Sequence, residues 1–445
     1  MKPRIGVYVC HCGLNIAGSV DVKSVVEYAS RLPNVVLVKD YTYVCSDPGQ
    51  LMIQEDVKRE NLNKVIVAAC SPRMHELTFQ RTLSMAGLNP YLLEVANIRE
   101  HCSWPHEKEP EKATEKTKSL VRMAVARASL LEPLEPVVVP IKKAALVIGG
   151  GIAGITASLK LADSGFKVYL VERQPSIGGR MAQLDKTFPT LECSSCILTP
   201  LMVDVSRHPN IVLLTYSEVE EVSGYVGNFK VKIKVKPRYV DIEKCTGCGT
   251  CIQKCPVKVP NEFDVGLSER KAIYIPFPQA IPLKCTINEE YCLYFQRSVC
   301  RLCEKFCEAK AVDFGQKPLE MEIEVGTIIA ATGYDLFDAS KVREYGYGQY
   351  RNVITGLEFE RITNAAGPTG GKIIRLSDGN EPKKVAFILC VGSREEREAG
   401  LPYCCRIGCV AALKHAYILK SKIGGEVDVF ICYTDLRTFG KGHEE

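Results

Sequence analysis

The sequence has little that would connect it to a membrane or to nucleic acid. Its apolar runs are all shorter than about 18 residues, the length that a membrane-spanning helix needs, so no such helix is expected. The amino terminus (MKPRIGVYVCHCG) has no apolar segment followed by a small-residue cleavage site, which predicts a cytoplasmic protein. A net charge of +5 over 445 residues gives no reason to expect nucleic acid or an anionic membrane as a partner.

Internal repeats and low-complexity tracts are also absent from the sequence, which argues against a solenoid or a disordered chain. At roughly 100–200 residues per domain, the length predicts two to four domains with real hydrophobic cores. The 24% of charged residues is typical of a globular protein.

Cysteine, in contrast, is abundant: the chain has 21, an odd number. Disulfides are rare in a chain without an export signal, because the cytosol keeps thiols reduced. Ligation of metal ions or iron–sulfur clusters is therefore the favoured explanation.

The order of apolar runs predicts four regions. Residues 1–131 alternate short β-branched runs with amphipathic stretches, which indicates parallel βαβ units closed by a helix that ends near Leu131. Residues 142–236 begin with a strand, a glycine turn, a helix and a strand. Residues 237–317 are rich in Cys and Pro and have little periodicity, and residues 318–445 return to an α/β pattern.

The glycine turn at 149–154 matches G-x-G-x-x-G directly after a strand and before a helix, the context that makes this pattern credible. Glycine there allows a tight turn, close approach to a pyrophosphate and close packing of helix and strand. Glu172 ends the next strand, where a carboxylate would bind a ribose. The predicted dinucleotide contacts are Gly149, Gly150, Gly151, Ala153, Gly154, Glu172 and Arg173.

Two later segments favour FAD over NAD. Gly179 and Arg180 follow Glu172 at a distance that flavoproteins use to continue contacting the cofactor. Thr332 and Gly333 follow an apolar strand and resemble the second flavin-contacting turn of two-dinucleotide-domain reductases. The segment 385–393 has no glycine fingerprint of the kind an NAD(P)H site needs, so NAD(P)H binding is not expected.

The cysteine-rich block contains a bacterial ferredoxin run, C-x2-C-x2-C-x3-C-P, and a stretched second run. In such domains the fourth cysteine of each run ligates the other cluster. This rule predicts one [4Fe-4S] cluster on Cys245, Cys248, Cys251 and Cys307, and another on Cys292, Cys300, Cys303 and Cys255. Zinc would not explain two linked runs of this kind. Cys285 is left over and is interpreted as an ordinary cysteine, with a spare or alternate cluster ligand as the other alternative.

Two further cysteine groups are candidates for clusters. Cys390, Cys404, Cys405 and Cys409 lie close in sequence and are predicted to hold a third cluster. Cys193 and Cys196 form a C-x-x-C pair that would either ligate this cluster, act as a redox dithiol or be inert. Five cysteines of the first region follow predicted strands, so that four of them would meet at one sheet edge around a cluster, unless they are simply buried. They are Cys10, Cys12, Cys45, Cys70 and Cys102.

Taken together, these motifs resemble the A subunit of heterodisulfide reductase. The resemblance rests on CHCGLNI (10–16), GGGIAG (149–154), TFPTLECSSCILTP (187–200) and the ferredoxin run, in this order. It implies an α/β fold: a thioredoxin-reductase-like FAD domain of Rossmann type with an inserted two-cluster ferredoxin domain, preceded by a small α/β domain.

The resemblance also implies a function, that of a flavin-bearing oxidoreductase subunit that forms the hub of a cytoplasmic complex. Family members in methanogens split electron pairs between a low-potential ferredoxin and a high-potential disulfide. The expected partners are the other subunits of such a complex, together with ferredoxin, a hydrogenase or a dehydrogenase as electron donor. Whether the chain forms a dimer is left open. Because longer family members continue beyond GKGHEE, either a second polypeptide completes the carboxy-terminal half or the chain is a truncated form.

Two alternatives to this function stay open. One is an NAD(P)H-dependent FAD reductase like the small subunit of glutamate synthase, and the other is a subunit that only relays electrons. Lys414, which lies five residues after Cys409, is a candidate for tuning the flavin, with Glu358 or Glu360 as its partner. The simpler interpretation of Lys414 is a solvated lysine on an amphipathic helix.

Overall fold

The computed structural model describes residues 2–397, 400–424, 426–440 and 442–443. The chain forms two compact units, Met1–Val138 and Val139–Glu445. No helix within the described ranges is both long and apolar enough to cross a membrane. The domain boundaries predicted inside the second unit stay predictions.

The first unit contains a parallel sheet in the strand order β2-β1-β3-β4. Both central strands are buried along their whole length, because helices cover the two faces of the sheet. The elements in chain order are β1 (Ile5–Cys10), α1 (Leu14–Ala17), α2 (Val22–Ser30), β2 (Val35–Tyr41), α3 (Asp47–Arg59), β3 (Lys64–Ala69), α4 (Pro72–Met85), β4 (Leu93–Asn97) and α5 (Pro110–Leu130).

The predicted βαβ pattern of this unit is confirmed, and the sequence explains where its helices begin. Asp21, Ser46 and Ser71 precede α2, α3 and α4, and each side chain accepts a backbone N–H of the first turn. Strand β4 was not predicted, because LEVAN is short and carries polar residues. A π-helical turn, Arg99–Ser103, follows this strand.

The second unit is built around a parallel sheet in the order β15-β5-β6-β7. Strand β5 has its sequence neighbour β6 on one side and the distant β15 on the other. The order therefore reverses at β5, and ligands bind at such switch points beyond the carboxyl ends of the strands. The elements are β5 (Ala144–Ile148), α6 (Ile152–Asp163), β6 (Lys167–Glu172), α7 (Ser194–Arg207), β7 (Ile211–Thr215) and β15 (Thr327–Ala330).

An antiparallel sheet in the order β14-β9-β8 packs against this parallel sheet. Its strands are β8 (Ser217–Tyr225), β9 (Asn228–Val235) and β14 (Leu319–Val325). Val231, Ile233 and Val325 are fully buried and share a core cluster with Leu146 of β5. The hairpin of β8 and β9 was not predicted.

Between β9 and β14 lies the cysteine-rich segment, which consists of short elements around a small core. They are α8 (Thr250–Lys254), β10 (Val259–Pro260), β11 (Glu269–Arg270), β12 (Ile273–Tyr274), β13 (Thr286–Ile287), α9 (Leu293–Arg297) and α10 (Leu302–Lys305). The buried members of this core include Cys245, Cys251 and Cys285.

The last part of the chain adds two helices and a parallel strand pair, α11 (Gly356–Thr363), β16 (Lys384–Ile388), α12 (Gly408–Ile423) and β17 (Asp428–Cys432). Phe359 of α11, Leu419 of α12 and Val427 form its buried core. These elements agree with the α/β pattern predicted for residues 318–445.

Candidate cofactor sites

The glycine turn lies at the switch point of the parallel sheet, between the ends of β5 and β15. Gly149 has φ +106°, and a Cβ atom there would lie 2.3 Å from the carbonyl oxygen of Ala331. A Cβ on Gly154 would lie 1.9 Å from the carbonyl oxygen of Gly149, so helix α6 can begin only if both positions are glycine. Ala153 is exposed in the first turn of this helix.

Glu172 lies directly beside the turn, at the end of β6. Its Oε2 accepts the Gly150 N–H at 2.7 Å, its Oε1 accepts the Gln174 N–H at 2.8 Å, and the residue is 8% exposed. The carboxylate predicted to bind a ribose therefore lies at the predicted place. Arg173, the next residue, forms an exposed ion pair with Asp335 at 3.3 Å.

A second glycine segment closes over the first. The Gly178 N–H donates to the Gly150 carbonyl at 2.7 Å, and a Cβ on Gly179 would lie 2.8 Å from the Gly151 Cα. Gly151 itself faces open space, since the only atom near a Cβ there is the Gly179 Cα at 3.9 Å. This bare backbone at the start of α6 is a cradle that a diphosphate fits.

The far side of this cradle carries the other two predicted segments. Gly333, φ +73°, follows Thr332 after β15 and faces open space. Arg180 donates to the Gln183 side chain at 3.1 Å. Partial burial raises the pKa of Tyr334, the residue after Gly333; the charge of Arg180 lowers this pKa and the charge of Glu360 raises it. Both charges therefore act on the Tyr334 side chain.

Glu360 belongs to a buried group with Lys414 and His415, each of which is less than 5% exposed. Its Oε1 contacts the Lys414 ammonium and lies 2.5 Å from the His415 Nε2, and its Oε2 accepts the Asp185 N–H at 2.9 Å. Lys414 also donates to the Lys186 carbonyl at 2.8 Å. The interpretation of Lys414 as a solvated surface lysine is therefore wrong.

The two candidate partners of Lys414 have different surroundings. Glu358 forms a capping box with Thr355 at the start of α11 and accepts the Tyr347 hydroxyl at 3.1 Å. The structure thus engages Glu358 at the helix terminus and brings Glu360 to Lys414. His415 and Tyr334 were not singled out by the sequence, since neither belongs to a recognisable motif.

In the cysteine-rich segment, Cys255, Cys292, Cys300 and Cys303 line one pocket. These are the four ligands that the crossover rule assigns to one cluster. The pKa of Cys303 is raised to about 12, chiefly by burial and also by the charges of Cys292, Cys251 and Cys255. The positions of these thiols fit the predicted set.

The other predicted set of cluster ligands, which contains Cys245 and Cys251, has Cys285 as an unexpected neighbour. The thiol of Cys285 lies 3.5 Å from that of Cys251 and also hydrogen-bonds with that of Cys245. The bond from Cys285 is the largest effect on Cys245 and lowers its pKa to about 5. Cys307 accepts the Ala311 N–H at 3.3 Å. The interpretation of Cys285 as an unremarkable cysteine is not favoured by this position.

Cys390, Cys404, Cys405 and Cys409 line a second pocket, as predicted for a third cluster. Arg394, Arg406 and Arg437 also line it. Among the described residues, this lining does not include Cys193 or Cys196. A hydrogen bond from the Cys196 thiol is the largest effect lowering the pKa of Cys193, at the start of α7, and it correspondingly raises the pKa of Cys196.

In the first unit, the charges of Cys12 and Cys45 act on two further cysteines. Burial is the largest effect raising the pKa of Cys10 and of Cys70, and the charges of Cys12 and Cys45 raise both further. Arg99 donates to the Cys12 sulfur at 3.3 Å. Cys102 is fully buried and hydrogen-bonds instead with Thr117 of α5.

In the part of the chain that the structure describes, these groups of thiols do not have the spacing that a site for a single metal ion needs. Within the described ranges, no three His, Cys, Asp or Glu side chains converge closely enough to hold a single metal ion. A [4Fe-4S] cluster is a larger body that four thiolates surround. Groups of cysteines lining one pocket fit this donor chemistry.

Comparison with known proteins agrees with these positions. Residues 147–201 match the NAD(P)-binding Rossmann-like domain family, and residues 238–261 match the 4Fe-4S binding domain family. One of two iron-sulfur A subunits of the CoB–CoM heterodisulfide reductase of Methanopyrus kandleri is 61% identical over 444 residues, which are 100% of this chain and 67% of that protein. The chain belongs to the heterodisulfide reductase A-subunit family.

Two further relatives are also named as A subunits of heterodisulfide reductases. The A subunit of the H(2):CoB-CoM heterodisulfide,ferredoxin reductase of Methanothermobacter marburgensis is 61% identical and covers 100% of this chain. The A subunit of the H(2)/formate:CoB-CoM heterodisulfide,ferredoxin reductase of Methanococcus maripaludis is 53% identical and also covers 100%. The chain spans 66% of the length of each of these two relatives.

The predicted fold class is thereby confirmed at the level of a mixed α/β chain with a Rossmann-like domain and a 4Fe-4S segment. The assignment to an oxidoreductase family is confirmed as well. The roles of individual residues and the number of clusters stay predictions.

Proposed function

We propose that this chain is a flavo-iron–sulfur electron-transfer subunit of a heterodisulfide-reductase-like complex, with FAD as the site where paired and single electrons meet. The observation that carries this proposal is one arrangement in the second unit. The Gly178–Gly179 turn of the glycine cradle leads to Asp185 and Lys186, whose backbone groups are bound by the buried Glu360 and Lys414. The same unit carries cysteine sets that fit iron–sulfur clusters.

FAD, when bound, would supply the conversion between two-electron and one-electron transfer. Gly151 and Gly179 would approach its diphosphate with bare backbone, and Glu172, which accepts the Gly150 N–H, would receive its ribose. Lys414 would place a positive charge on the side of the site where Tyr334 and Arg180 lie. Glu360 would fix that ammonium in position, since it also binds the backbone of Asp185.

Electron bifurcation is the finer form of this proposal. Relatives named for both a heterodisulfide and a ferredoxin support it, because one chain then serves acceptors of different potential. A ferredoxin, and hydrogen- or formate-oxidising subunits, are the partners that these names suggest. A subunit that only relays electrons would need the same clusters, but it would not need a buried charge that sets the flavin potential. The buried Lys414–Glu360 pair therefore favours bifurcation over this alternative.

The NAD(P)H-dependent reductase is the second alternative, and one contact argues against it. In the turn after β16, a Cβ on Gly392 would lie 2.4 Å from the ring of Phe337. The ring therefore occupies the space next to the glycine where a second dinucleotide would need to approach.

The test is anoxic reduction of the full chain reconstituted with iron, sulfide and FAD. We expect reduced ferredoxin or dithionite to reduce both the flavin and the clusters, as followed by visible absorption and EPR spectroscopy. A chain that binds FAD but holds no iron, or iron but no FAD, would overturn the proposed function.

A further inference from the structure

We propose that Cys285 is a fifth thiol at one predicted cluster of the cysteine-rich segment, a positioning residue that donates an S–H···S hydrogen bond to the ligand sulfur of Cys251 and raises the reduction potential of that cluster. This inference rests on the proposed function, because it requires that Cys245 and Cys251 hold a cluster.

The position of Cys285 is fixed by burial and by sulfur contacts. The residue is 1% exposed and lies directly before β13. Its Sγ lies 3.5 Å from the Cys251 Sγ, although the two residues are 34 positions apart in sequence. A buried S–H group in contact with a ligand sulfur will donate to it, since sulfur is an acceptor for this weak donor.

The backbone around Cys285 holds this contact in place. Gly247, in the turn between Cys245 and Cys248, has φ +73°, and a Cβ there would lie 2.6 Å from the Leu283 carbonyl oxygen. The Lys284 ammonium donates to the Cys245 carbonyl at 2.5 Å. Residues 283–285 are thus packed onto the first turn of the ferredoxin run by contacts that do not involve the thiol.

The 3.5 Å distance between the Cys285 and Cys251 sulfurs indicates that Cys285 is a hydrogen-bond donor and not a cluster ligand. Thiolates that bind one cubane cluster each hold a different iron, so the cluster body stands between them. A sulfur in direct contact with Cys251 shares its side of the site and is placed as a hydrogen-bond donor. Three cysteines of the run and Cys307 already supply four ligands by the crossover rule.

A hydrogen bond to a ligand sulfur stabilises the more negative, reduced state of a cluster. Hydrogen bonds to the sulfurs are among the factors that set the reduction potentials of iron–sulfur clusters. Removal of the Cys285 donor should therefore make the cluster harder to reduce and leave its ligands in place.

The experiment compares Cys285→Ala and Cys285→Ser with the parent chain, all reconstituted anoxically. Iron and acid-labile sulfide are measured first, and the clusters are then titrated by potential under EPR detection. We expect full iron content in both variants, a more negative midpoint for one cluster in Cys285→Ala, and a smaller change in Cys285→Ser, which keeps a donor. Cys432→Ala, an exposed cysteine of β17, is the matched control and should change nothing.

Two results would overturn the inference. Loss of one cluster's iron in Cys285→Ala, with full iron retained in Cys307→Ser, would make Cys285 the ligand instead of the donor. Unchanged midpoints in Cys285→Ala would show that its thiol has no influence on the cluster. A parent chain without iron would instead contradict the proposed function, so the two failures can be told apart.

Discussion

Glu360 of α11 and Lys414 of α12 form an ion pair in which both side chains are less than 5% exposed. Burying two charges is costly unless hydrogen bonds satisfy the rest of their donors and acceptors. Here the second carboxylate oxygen accepts the Asp185 N–H, and the ammonium donates to the Lys186 carbonyl. The pair therefore joins both helices to the segment that follows the Gly178–Gly179 turn.

Substitution of Glu360 should weaken the fold in a way that depends on pH. Burial, the largest effect, raises the pKa of Glu360, but the bond from His415 and the charges of His415 and Lys414 outweigh it, so the pKa lies below the ordinary value of 4.5. The pair thus stabilises the fold above about pH 4.5, and this stability is lost as pH falls through the lowered pKa. Glu360→Gln should destabilise the chain by about 3 kcal/mol at pH 7.

The measurement is thermal unfolding with FAD release as the signal, at pH 7 and at the lowest pH where the parent stays folded. The difference between parent and variant should shrink toward acid pH. Glu381→Gln, at an exposed position, is the control. If parent and variant differ in unfolding temperature by the same amount at both pH values, the idea that Glu360 is charged in the folded chain is wrong.

Lys414→Met should shift the potential of the flavin. Loss of a positive charge makes the reduced flavin less favourable, so the midpoint should become more negative. The shift should exceed about 20 mV, which for a two-electron couple is about 0.9 kcal/mol. The exposed Lys420→Met on the same helix is the control, and FAD occupancy is checked in both. A shift below about 20 mV would leave Lys414 with a structural role only.

The sequence predicted those features whose signals are local. The glycine turn and the ferredoxin cysteines have fixed spacings, and the structure places both where the spacing implies. Glu360 and His415 are 55 residues apart, and Cys285 lies 34 residues from Cys251. Such contacts depend on tertiary packing, which a single sequence does not encode in any short pattern. The choice of Glu360 over Glu358 as the partner of Lys414, and the position of Cys285, could therefore not be predicted.

The flavin of the isolated chain should not be reduced by NADH or NADPH. Phe337 packs against Gly392 where the second dinucleotide would approach, and Cys390, φ +60°, precedes that glycine. Stopped-flow absorbance under anoxic conditions measures this, with dithionite as the positive control. Rapid bleaching at micromolar NADH would instead support the NAD(P)H-dependent reductase.

Gly151→Ala should lower FAD affinity without unfolding the chain. Gly151 has φ −78° and ψ −179°, a conformation that alanine adopts without strain, and the nearest protein atom to the new Cβ would be 3.9 Å away. Only a bound diphosphate would meet that methyl group. Flavin fluorescence titration of the apo-chain should show at least about tenfold weaker binding, about 1.4 kcal/mol. Ser164→Ala, at the other end of α6, should bind normally, and equal affinity of both variants would refute the cradle.

The iron content of cysteine variants tests which cysteines of the first unit hold a cluster. The parent chain should contain about 14–16 iron atoms after anoxic reconstitution, because each cubane cluster holds four. Cys70→Ser should lose about four of them, since Cys70 is a neighbour of Cys12 and Cys45. Cys102→Ser should lose none, because that thiol faces Thr117 of α5. Iron assays on the three chains, with circular dichroism to confirm folding, measure this. Equal iron in Cys70→Ser and the parent would show that these thiols are simply buried, and stoichiometric zinc with fewer than about eight iron atoms would refute the cluster assignment as a whole.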